Sequence, residues 1–313
     1  MKVRRTKETK MGSKFPDWLR RPWASGSNFG MTKEIVDDLK LHTVCQSAHC
    51  PNIGECWAKG TATVMVLGNT CTRNCTFCSV DSGKPTFDDP DEPMSVAQAV
   101  KRMALKHAVV TTVVRDDLPD GGALHIADTI RWIHRVNPET TVEILVSDFR
   151  GDGEAIRTVL EAKPDVFCHN IETVERLYPK IRDHRFTYAS ALGTLAMAKE
   201  ISPQAIVKSA MMLGLGETEE DVKATLRDLL EAGCDAVCIG QYLQPTKQQT
   251  DVQSFVHPDQ FNAYEEMAYT MGFLYAVSGP FVRSSYRSEA ILETDFARER
   301  LGLDASAHAS ESK

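Results

Sequence analysis

The sequence predicts an α/β fold: a partial (βα)6 TIM-like barrel whose open rim is covered by N-terminal and C-terminal extensions. Short apolar runs alternate with helical segments through the central part of the 313-residue chain, an order typical of parallel sheets. We count six strand–helix units, which are too few to close an eight-stranded barrel. Polar or glycine-containing loops follow several of the strands, at the rim where parallel barrels carry their chemistry.

Six apolar runs predict buried strands, because they are short and contain many β-branched residues: 62–68, 108–114, 141–146, 165–168, 205–213 and 235–239. The segments between and after them predict helices at 95–107, 122–136, 152–162, 171–199 and 217–232.

The two ends of the chain lie outside this repeat. We expect an irregular arm over 1–30, a short helix over 31–41 capped by Thr32, a helix over 257–271 and a short strand over 273–277. The polar tail after Thr294 is expected to fray. The domain organisation we predict is an N-terminal extension (1–58), a barrel (59–255) and a C-terminal extension (256–313).

The composition of the chain argues against several classes of function. Apolar residues make up 42% and charged residues 25% of the chain, as in ordinary globular proteins. The net charge of −7 gives no support to a nucleic acid partner. We expect no membrane span and no secretory signal peptide. Nine cysteines in such a chain favour a reducing compartment and metal binding over disulfides, so we expect a cytoplasmic protein.

The loop after the first predicted strand carries Cys71, Cys75 and Cys78 in a CxxxCxxC pattern. Iron–sulfur clusters are usually held by four cysteine thiolates, so a set of three leaves one iron of a [4Fe–4S] cluster open. The alternatives are a zinc site, a redox pair or core cysteines, but zinc sites usually repeat CxxC, and no partnering CxxC or HxxxH follows. The spacing resembles the signature of radical S-adenosylmethionine (AdoMet) enzymes.

A second triplet lies just upstream: Cys45, Cys50 and Cys56 form a CxxxxCxxxxxC pattern in a loop containing proline and glycine. The alternative is three small residues packed beneath a helix. Free cysteines rarely crowd a polar loop without a metal, so we interpret the triplet as a second [4Fe–4S] site.

The two triplets together, in this order, resemble the lipoyl synthase family. Further motifs of that family occur in its order over roughly residues 15–290: PDWLR at 16–20, RDDLPDGG at 115–122, DFRG at 148–151, HNIETV at 169–174, GLGET at 214–218, GQYLQPT at 240–246 and SGPFVRSSY at 278–286.

This resemblance implies a radical AdoMet sulfurtransferase that inserts two sulfur atoms, at carbons 6 and 8 of an octanoyl chain amide-linked to a lysine of a lipoyl carrier domain. The Cys71–Cys78 cluster would cleave two AdoMet molecules per turnover, and the upstream cluster would be consumed as the sulfur source. Its fourth ligand would be the Ser285 oxygen of the RSSY motif, although the sequence alone does not separate Ser284 from Ser285.

Polar residues near the strand ends are candidates for AdoMet contacts, by their chemistry as well as by the resemblance. Thr112 lies near the end of the second strand, and Asn170 and Glu172 follow the fourth. Lys208 lies on the fifth strand, where a cation would suit a carboxylate. The alternative for each is an ordinary rim or capping residue. Val114 and Cys168 depart from the family pattern, where Asp and Asn are usual.

The implied partners are octanoylated carrier domains of 2-oxoacid dehydrogenase complexes or of the glycine cleavage system, an electron donor such as flavodoxin or ferredoxin, and an iron–sulfur carrier. Three other functions remain open at this point: a biotin-synthase-like sulfur insertion, a two-cluster electron carrier without a substrate, and a zinc-stabilised binding scaffold.

Overall fold

An open parallel barrel forms the centre of the computed structural model, which describes residues 15–20, 27–86 and 89–303. Its sheet has the strand order β1-β2-β5-β6-β7-β8-β9-β10. Neighbours from β2 to β10 are parallel, and only β1 is antiparallel to its neighbour. The strands are β1 His42–Thr43, β2 Val64–Val66, β5 His107–Thr112, β6 Thr141–Leu145, β7 Val166–Cys168, β8 Ile206–Leu213, β9 Ala236–Gln241 and β10 Tyr275–Gly279, with a separate pair β3 Thr70–Cys71 and β4 Asp81–Ser82.

Helices connect these strands and cover the sheet: α1 Ser27–Asp38, α2 Val44–Ser47, α3 Ile53–Ala58, α4 Glu92–Arg102, α5 Ala123–Val136, α6 Gly153–Glu161, α7 Tyr178–Ile181, α8 Tyr188–Ile201, α9 Glu219–Glu231, α10 Pro258–Met271 and α11 Asp295–Leu301. The predicted partial barrel is therefore confirmed, and all six predicted strands are present. The strand predicted at 273–277 adds a seventh parallel member, because β10 pairs with β9. No helix in the described part is long and apolar enough to cross a membrane.

The first helix begins earlier than predicted. It starts at Ser27 and runs through Gly30, although glycine inside a helix costs about 1 kcal/mol relative to alanine. The tertiary packing of the helix offsets that cost, since the Phe29 ring lies 5.3 Å from the Trp57 ring. Thr32 is buried inside the helix and donates a hydrogen bond to the Trp57 carbonyl, so its prediction as a cap is wrong. Most of the predicted irregular arm lies outside the described residues.

The longer helical region predicted over 171–199 is helical only in parts. A 3-10 turn, Glu175–Leu177, and the short α7 come first, and a loop separates them from α8. Thr187 and Ser190 form a capping box that fixes the start of α8. The intervening loop is tied to the cysteine loop at 71–78, as described below, and those contacts exclude a continuous helix.

Residues 291–301, which follow the RSSY motif, fold back onto the barrel. Ile291 and Ala297 are fully buried in a cluster with Val166, Ile206 and Ala236, which are the first residues of β7, β8 and β9. This segment therefore covers the N-terminal end of the barrel. The fraying predicted after Thr294 is wrong for 295–301, which form α11, while residues 304–313 lie outside the described part.

Candidate active site

A cavity of about 990 Å³ lies at the carboxyl ends of the parallel strands. Five of the six cysteines of the two triplets line it, together with the serine pair of the C-terminal segment: Cys45, Cys50, Cys71, Cys75, Cys78, Ser284 and Ser285. The remaining cysteine, Cys56, does not line the cavity. It lies close to Cys45 and Cys50, which add to the effect of burial in raising the pKa of its thiol. Residues from widely separated parts of the chain thus meet around one space.

The thiols of the 71–78 loop line the cavity, and two of them accept hydrogen bonds from backbone amides, one of the loop itself and one of a neighbouring loop. The Arg73 amide donates to Cys71 Sγ, and the Asp183 amide donates to Cys75 Sγ, each at 3.4 Å. Burial raises the pKa of the Cys75 thiol and raises that of Cys78 to about 12. These thiols are neutral at pH 7 unless a positive centre such as iron draws off their protons.

Three aspartates hold this loop in place, two of them through the Arg73 guanidinium and the third through a backbone amide. The buried Arg73 guanidinium donates twice to the carboxylate of Asp116, at 2.9 Å, and lies 2.9 Å from Asp148. Asp183 accepts a hydrogen bond from the Asn74 amide at 2.8 Å and pairs with Arg185. The sequence analysis identified the motifs that contain Asp116 and Asp148. It missed Arg73, Arg185 and Asp183, whose roles depend on contacts between distant parts of the chain.

The upstream triplet lies on two short helices and the loop between them. Cys45 is in α2, Cys56 is in α3, and Cys50 lies between them. Cys45 is 7% exposed, and burial raises its pKa. Burial also raises the pKa of Cys56, to about 12, with smaller contributions from Cys45 and Cys50.

Contacts between α3 and the C-terminal segment bring the serine pair to this triplet. We call them the clasp. Glu55 accepts hydrogen bonds from the Tyr286 hydroxyl, at 3.1 and 3.2 Å, and from the Arg287 guanidinium, at 2.9 Å. The Asn52 side chain donates to the Phe281 carbonyl at 2.8 Å. The clasp therefore fixes the segment that contains Ser284 and Ser285 beside the helices that carry the cysteines.

The donor set fits clusters better than a single ion. Among the described residues, no group of three or more His, Cys, Asp or Glu side chains converges closely enough to hold one metal ion. A mononuclear zinc site needs such convergence, whereas the ligands of a [4Fe–4S] cluster each bind a different iron. The zinc scaffold therefore finds no support in the described part. The cavity is lined by three thiols of one triplet and two of the other, and the third thiol of the second triplet, Cys56, lies close to its two partners.

Three of the four predicted AdoMet contacts line the cavity: Thr112, Asn170 and Glu172. The Asn170 amide donates to the Glu172 carboxylate at 3.1 Å. Glu172 adopts φ 66°, an uncommon conformation for this residue type that is often found at functional sites. These residues also line a side cavity of about 120 Å³ that opens beside the main one.

Sequence reasoning missed Arg182 and included His169 only as part of the HNIETV motif, and both line the side cavity as well. Arg182 stacks on the Phe186 ring, 3.6 Å from its centroid, and lies 3.9 Å from Glu172. Its Nε has no hydrogen-bond partner in the described structure, and neither does Nε2 of the buried His169. Burial lowers the pKa of His169 to about 4, so the ring is neutral. The sequence does not single out Arg182, because it belongs to none of the motifs and lies in a segment predicted to be helical.

The structure corrects the fourth prediction, that Lys208 contacts AdoMet, because this lysine lines neither cavity. Its side chain is 1% exposed, and its Nζ donates to both carboxylate oxygens of Glu143 at 2.8 Å. His107 Nε2 lies 3.5 Å from the same carboxylate. Burial opposes the charge on Lys208, but Glu143 raises its pKa overall. This charge already has its partner inside the barrel, so the lysine is not free to bind an AdoMet carboxylate.

Replacing Lys208 with methionine is expected to lower the free energy of unfolding by about 3–5 kcal/mol, because it leaves a buried carboxylate without its partner. The comparison is Lys33→Met, which removes an exposed pair with Asp37 and should cost less than about 1 kcal/mol. Urea unfolding of the two variants measures both values. Weakened AdoMet binding with unchanged stability would return Lys208 to the cofactor site.

Three cysteines lie outside the triplets, and two residues, Val114 and Cys168, depart from the family pattern. Cys168, Cys234 and Cys238 are buried, although Cys238 also forms part of the cavity wall. Val114 lines both cavities. Val114 accepts hydrogen bonds through its carbonyl from the Thr72 amide and hydroxyl, which its side chain does not affect.

Comparison with known proteins agrees with this geometry. The model of the Radical SAM superfamily matches residues 65–229, which include the 71–78 loop and strands β5 to β8. An FeFe-hydrogenase maturase from Carboxydothermus hydrogenoformans has a similar fold, with a TM-score of 0.54 and 12% identity, covering 78% of this chain and 65% of that one. The fold and the site together define a member of the radical SAM superfamily.

Closer relatives narrow the assignment. The mitochondrial lipoyl synthase of Zygosaccharomyces rouxii is 50% identical over 298 residues, which are 93% of this chain and 77% of that protein. The lipoyl synthase of Thermus thermophilus is 50% identical over 277 residues, 88% of this chain and 86% of that protein. The chain belongs to the lipoyl synthase family.

Proposed function

We propose that this protein is a lipoyl synthase, which inserts sulfur at carbons 6 and 8 of an octanoyl chain carried on a lysine of a lipoyl domain. The observation that carries the proposal is the meeting of five of the six triplet cysteines and the serine pair around one cavity. An electron carrier without a substrate has no need of a space of about 990 Å³ between its metal sites. The biotin-synthase-like alternative would not require the upstream triplet or the clasp.

The cysteines and one serine are the proposed cluster ligands. Cys71, Cys75 and Cys78 would hold the cluster that binds AdoMet, and Cys45, Cys50, Cys56 and Ser285 would hold the auxiliary cluster. When bound, the clusters and AdoMet supply the radical that removes hydrogen and the sulfide that is inserted. The task of the protein is to bind, orient and exclude water, and the cavity walls provide for this with apolar residues such as Val113 and Leu145 beside the cysteines.

Polar groups at the strand ends complement the parts of AdoMet. The Asn170 and Glu172 side chains are suited to ribose hydroxyls, and Thr112 offers a hydroxyl on the same wall. Arg182 takes the role that the sequence had suggested for Lys208, because its guanidinium is buried, stacked on Phe186 and incompletely hydrogen-bonded. A carboxylate is the natural partner of such a group.

Changing Arg182 to glutamine is expected to weaken AdoMet binding about 10- to 100-fold, because a hydrogen bond to a charged group contributes about 1.5–3 kcal/mol. Anaerobic equilibrium dialysis with the cluster-loaded protein measures the dissociation constant. Arg176→Gln serves as the control, since Arg176 is exposed and pairs with Asp221 away from the cavity. Equal affinity in the two variants would exclude Arg182 from the AdoMet site.

The activity is tested anaerobically with an octanoylated lipoyl domain, AdoMet and a reductant, and the carrier domain is then weighed by mass spectrometry. We expect replacement of two hydrogens by two sulfurs, with methionine and 5′-deoxyadenosine as coproducts. A carrier that gains no sulfur, although both clusters are present, would reject the proposal.

The physiological partners are also part of the proposal. Carrier domains of 2-oxoacid dehydrogenase complexes or of the glycine cleavage system would present the octanoyl chain. A flavodoxin or ferredoxin would supply electrons, and an iron–sulfur carrier would rebuild the auxiliary cluster. We propose a cytoplasmic location, which is supported by nine cysteines that are all free, because reducing compartments keep thiols unpaired.

A further inference from the structure

The strands of the barrel fill its interior with layers of side chains, because alternate residues of each strand point inward. On β8 the residues of the inward face are Ile206, Lys208, Ala210 and Met212. Ile206 belongs to the cluster that closes the N-terminal end of the barrel, whereas Ala210 and Met212 line the main cavity. The layer of Lys208 therefore lies between the closed end of the barrel and the cavity.

Two small side chains form the layer directly above Lys208, and we call them the floor of the cavity: Ala210 of β8 and Cys238 of β9. The two residues pair across the strands, and both line the cavity. Together with Val282 they form a buried cluster. Because both side chains are short, a larger residue at either position would project into the space above the floor.

A buried ion pair beneath the floor gives the cavity a fixed end. The side chains of Lys208 and Glu143 are 1% and 0% exposed, and Lys208 Nζ lies 2.8 Å from Glu143 Oε2. Neither residue lines the cavity. An alkyl chain could pass the floor only by separating two buried charges, which is strongly unfavourable. The space open to an apolar ligand therefore ends at Ala210 and Cys238.

The proposed reaction requires such an end stop. Carbon 8 is the methyl end of an octanoyl chain, so the free end of the substrate must lie at the reacting centres. A methyl group offers no charge and no hydrogen bond, so only the shape of an apolar pocket can fix its position. The proposed AdoMet contacts Thr112, Asn170 and Glu172 lie on β5 and after β7. The space above the floor, at β8 and β9, thus remains for the chain.

We propose that Ala210 and Cys238 are specificity-determining residues that seat the methyl end of the acyl chain, so that sulfur is placed by position from that end. The inference rests on the proposed function, since it assumes an acyl substrate. Each inserted sulfur replaces one hydrogen, which leaves in 5′-deoxyadenosine. A nonanoyl chain seated by its methyl end receives sulfur at carbons 7 and 9, whereas an enzyme that measures from the lysine would again use carbons 6 and 8.

The first test uses the unaltered, cluster-loaded protein and carrier domains whose octanoyl or nonanoyl chain ends in a fully deuterated methyl group. We expect both two-sulfur products to have lost one deuterium by mass spectrometry, because the methyl carbon receives sulfur in each. A nonanoyl product that keeps its methyl deuterium, or no product from the nonanoyl carrier while the octanoyl carrier reacts, would overturn the inference alone. Failure of the octanoyl carrier contradicts the proposed function, and the inference falls with it.

The second test changes the floor itself. Ala210→Val fills part of the space above Lys208, so the variant should prefer a shorter chain. Since one methylene in an apolar pocket changes discrimination about 10- to 200-fold, we expect the heptanoyl-to-octanoyl ratio of kcat/KM, measured in competition, to rise about tenfold or more. The matched control is Ala276→Val on β10, which is buried in another cluster and does not line the cavity. Its ratio should equal that of the unaltered protein.

Cys238→Ala covers the case in which Ala210→Val does not fold, because it removes an atom from the floor instead of adding two. This variant should shift the preference in the opposite direction, from octanoyl toward nonanoyl carriers. A chain-length preference equal to that of the Ala276→Val control, in either floor variant, would show that Ala210 and Cys238 do not seat the chain.

Discussion

Replacing Ser285 with alanine is expected to abolish complete sulfur insertion while the cluster at Cys71, Cys75 and Cys78 continues to cleave AdoMet. The two proposed sites share one cavity but have separate proposed ligands, so we expect loss of the serine oxygen to remove one ligand from the auxiliary cluster alone. Mass spectrometry of the carrier and quantification of 5′-deoxyadenosine, from the same reaction, measure the two outcomes independently.

The neighbouring serine provides the control. Ser284 and Ser285 both line the cavity, and Ser284→Ala should retain two-sulfur insertion if Ser285 is the ligand. Full activity of Ser285→Ala would remove that residue from the site. Failure of Ser284→Ala alone would transfer the ligand role to Ser284.

Replacing Gly240 with alanine is expected to have a similarly large effect on sulfur insertion, although Gly240 is not a proposed ligand. Gly240 lies in β9, and a Cβ atom there would clash with the carbonyl oxygen of Val282 and approach the Arg283 guanidinium to 3.2 Å. Because the obstacle is backbone, the segment leading to Ser285 must move. A displacement of about 1 Å at a reacting centre can cost about 100-fold in rate.

Gly279→Ala is the matched control, because Gly279 pairs with Gly240 across the two strands. A Cβ atom on Gly279 would meet only the Val282 side chain, at 3.4 Å. We expect this variant to keep most of its activity. AdoMet cleavage should survive in both variants, and equal rates of sulfur insertion would show that the approach of Val282 to β9 is not needed to place the serine.

The barrel strands could be predicted because their burial is a local property of the sequence. Residues such as Val64, Val142 and Val207 lie in short apolar runs, and each is buried in the sheet. The breaks in helical segments could not be predicted in the same way. The loop between α7 and α8 has a helix-compatible sequence, but Arg182, Asp183 and Arg185 form contacts with the 71–78 loop, about a hundred residues away, that outweigh local propensity.

The residues of the candidate site also divide into those that the local sequence identifies and those that only the fold identifies. The cysteine triplets could be identified from their spacing, and Asn170 and Glu172 from their place after a strand. Lys208 also lies on a predicted strand, yet only the fold shows that its side chain meets Glu143 of β6. Arg182 belongs to no motif, because its candidacy depends on its burial without a complete set of hydrogen-bond partners.

The clasp between α3 and the C-terminal segment also sets an order of assembly. Glu55 meets Tyr286 and Arg287 across 231 and 232 residues of sequence, so the contact cannot form until the barrel between them has been synthesised. Chains generally fold from the N-terminal side as they are made. The cysteines at 45–56 therefore stay apart from Ser285, their proposed fourth ligand, until the barrel between them has been synthesised, and we expect cluster loading at this site to follow barrel folding.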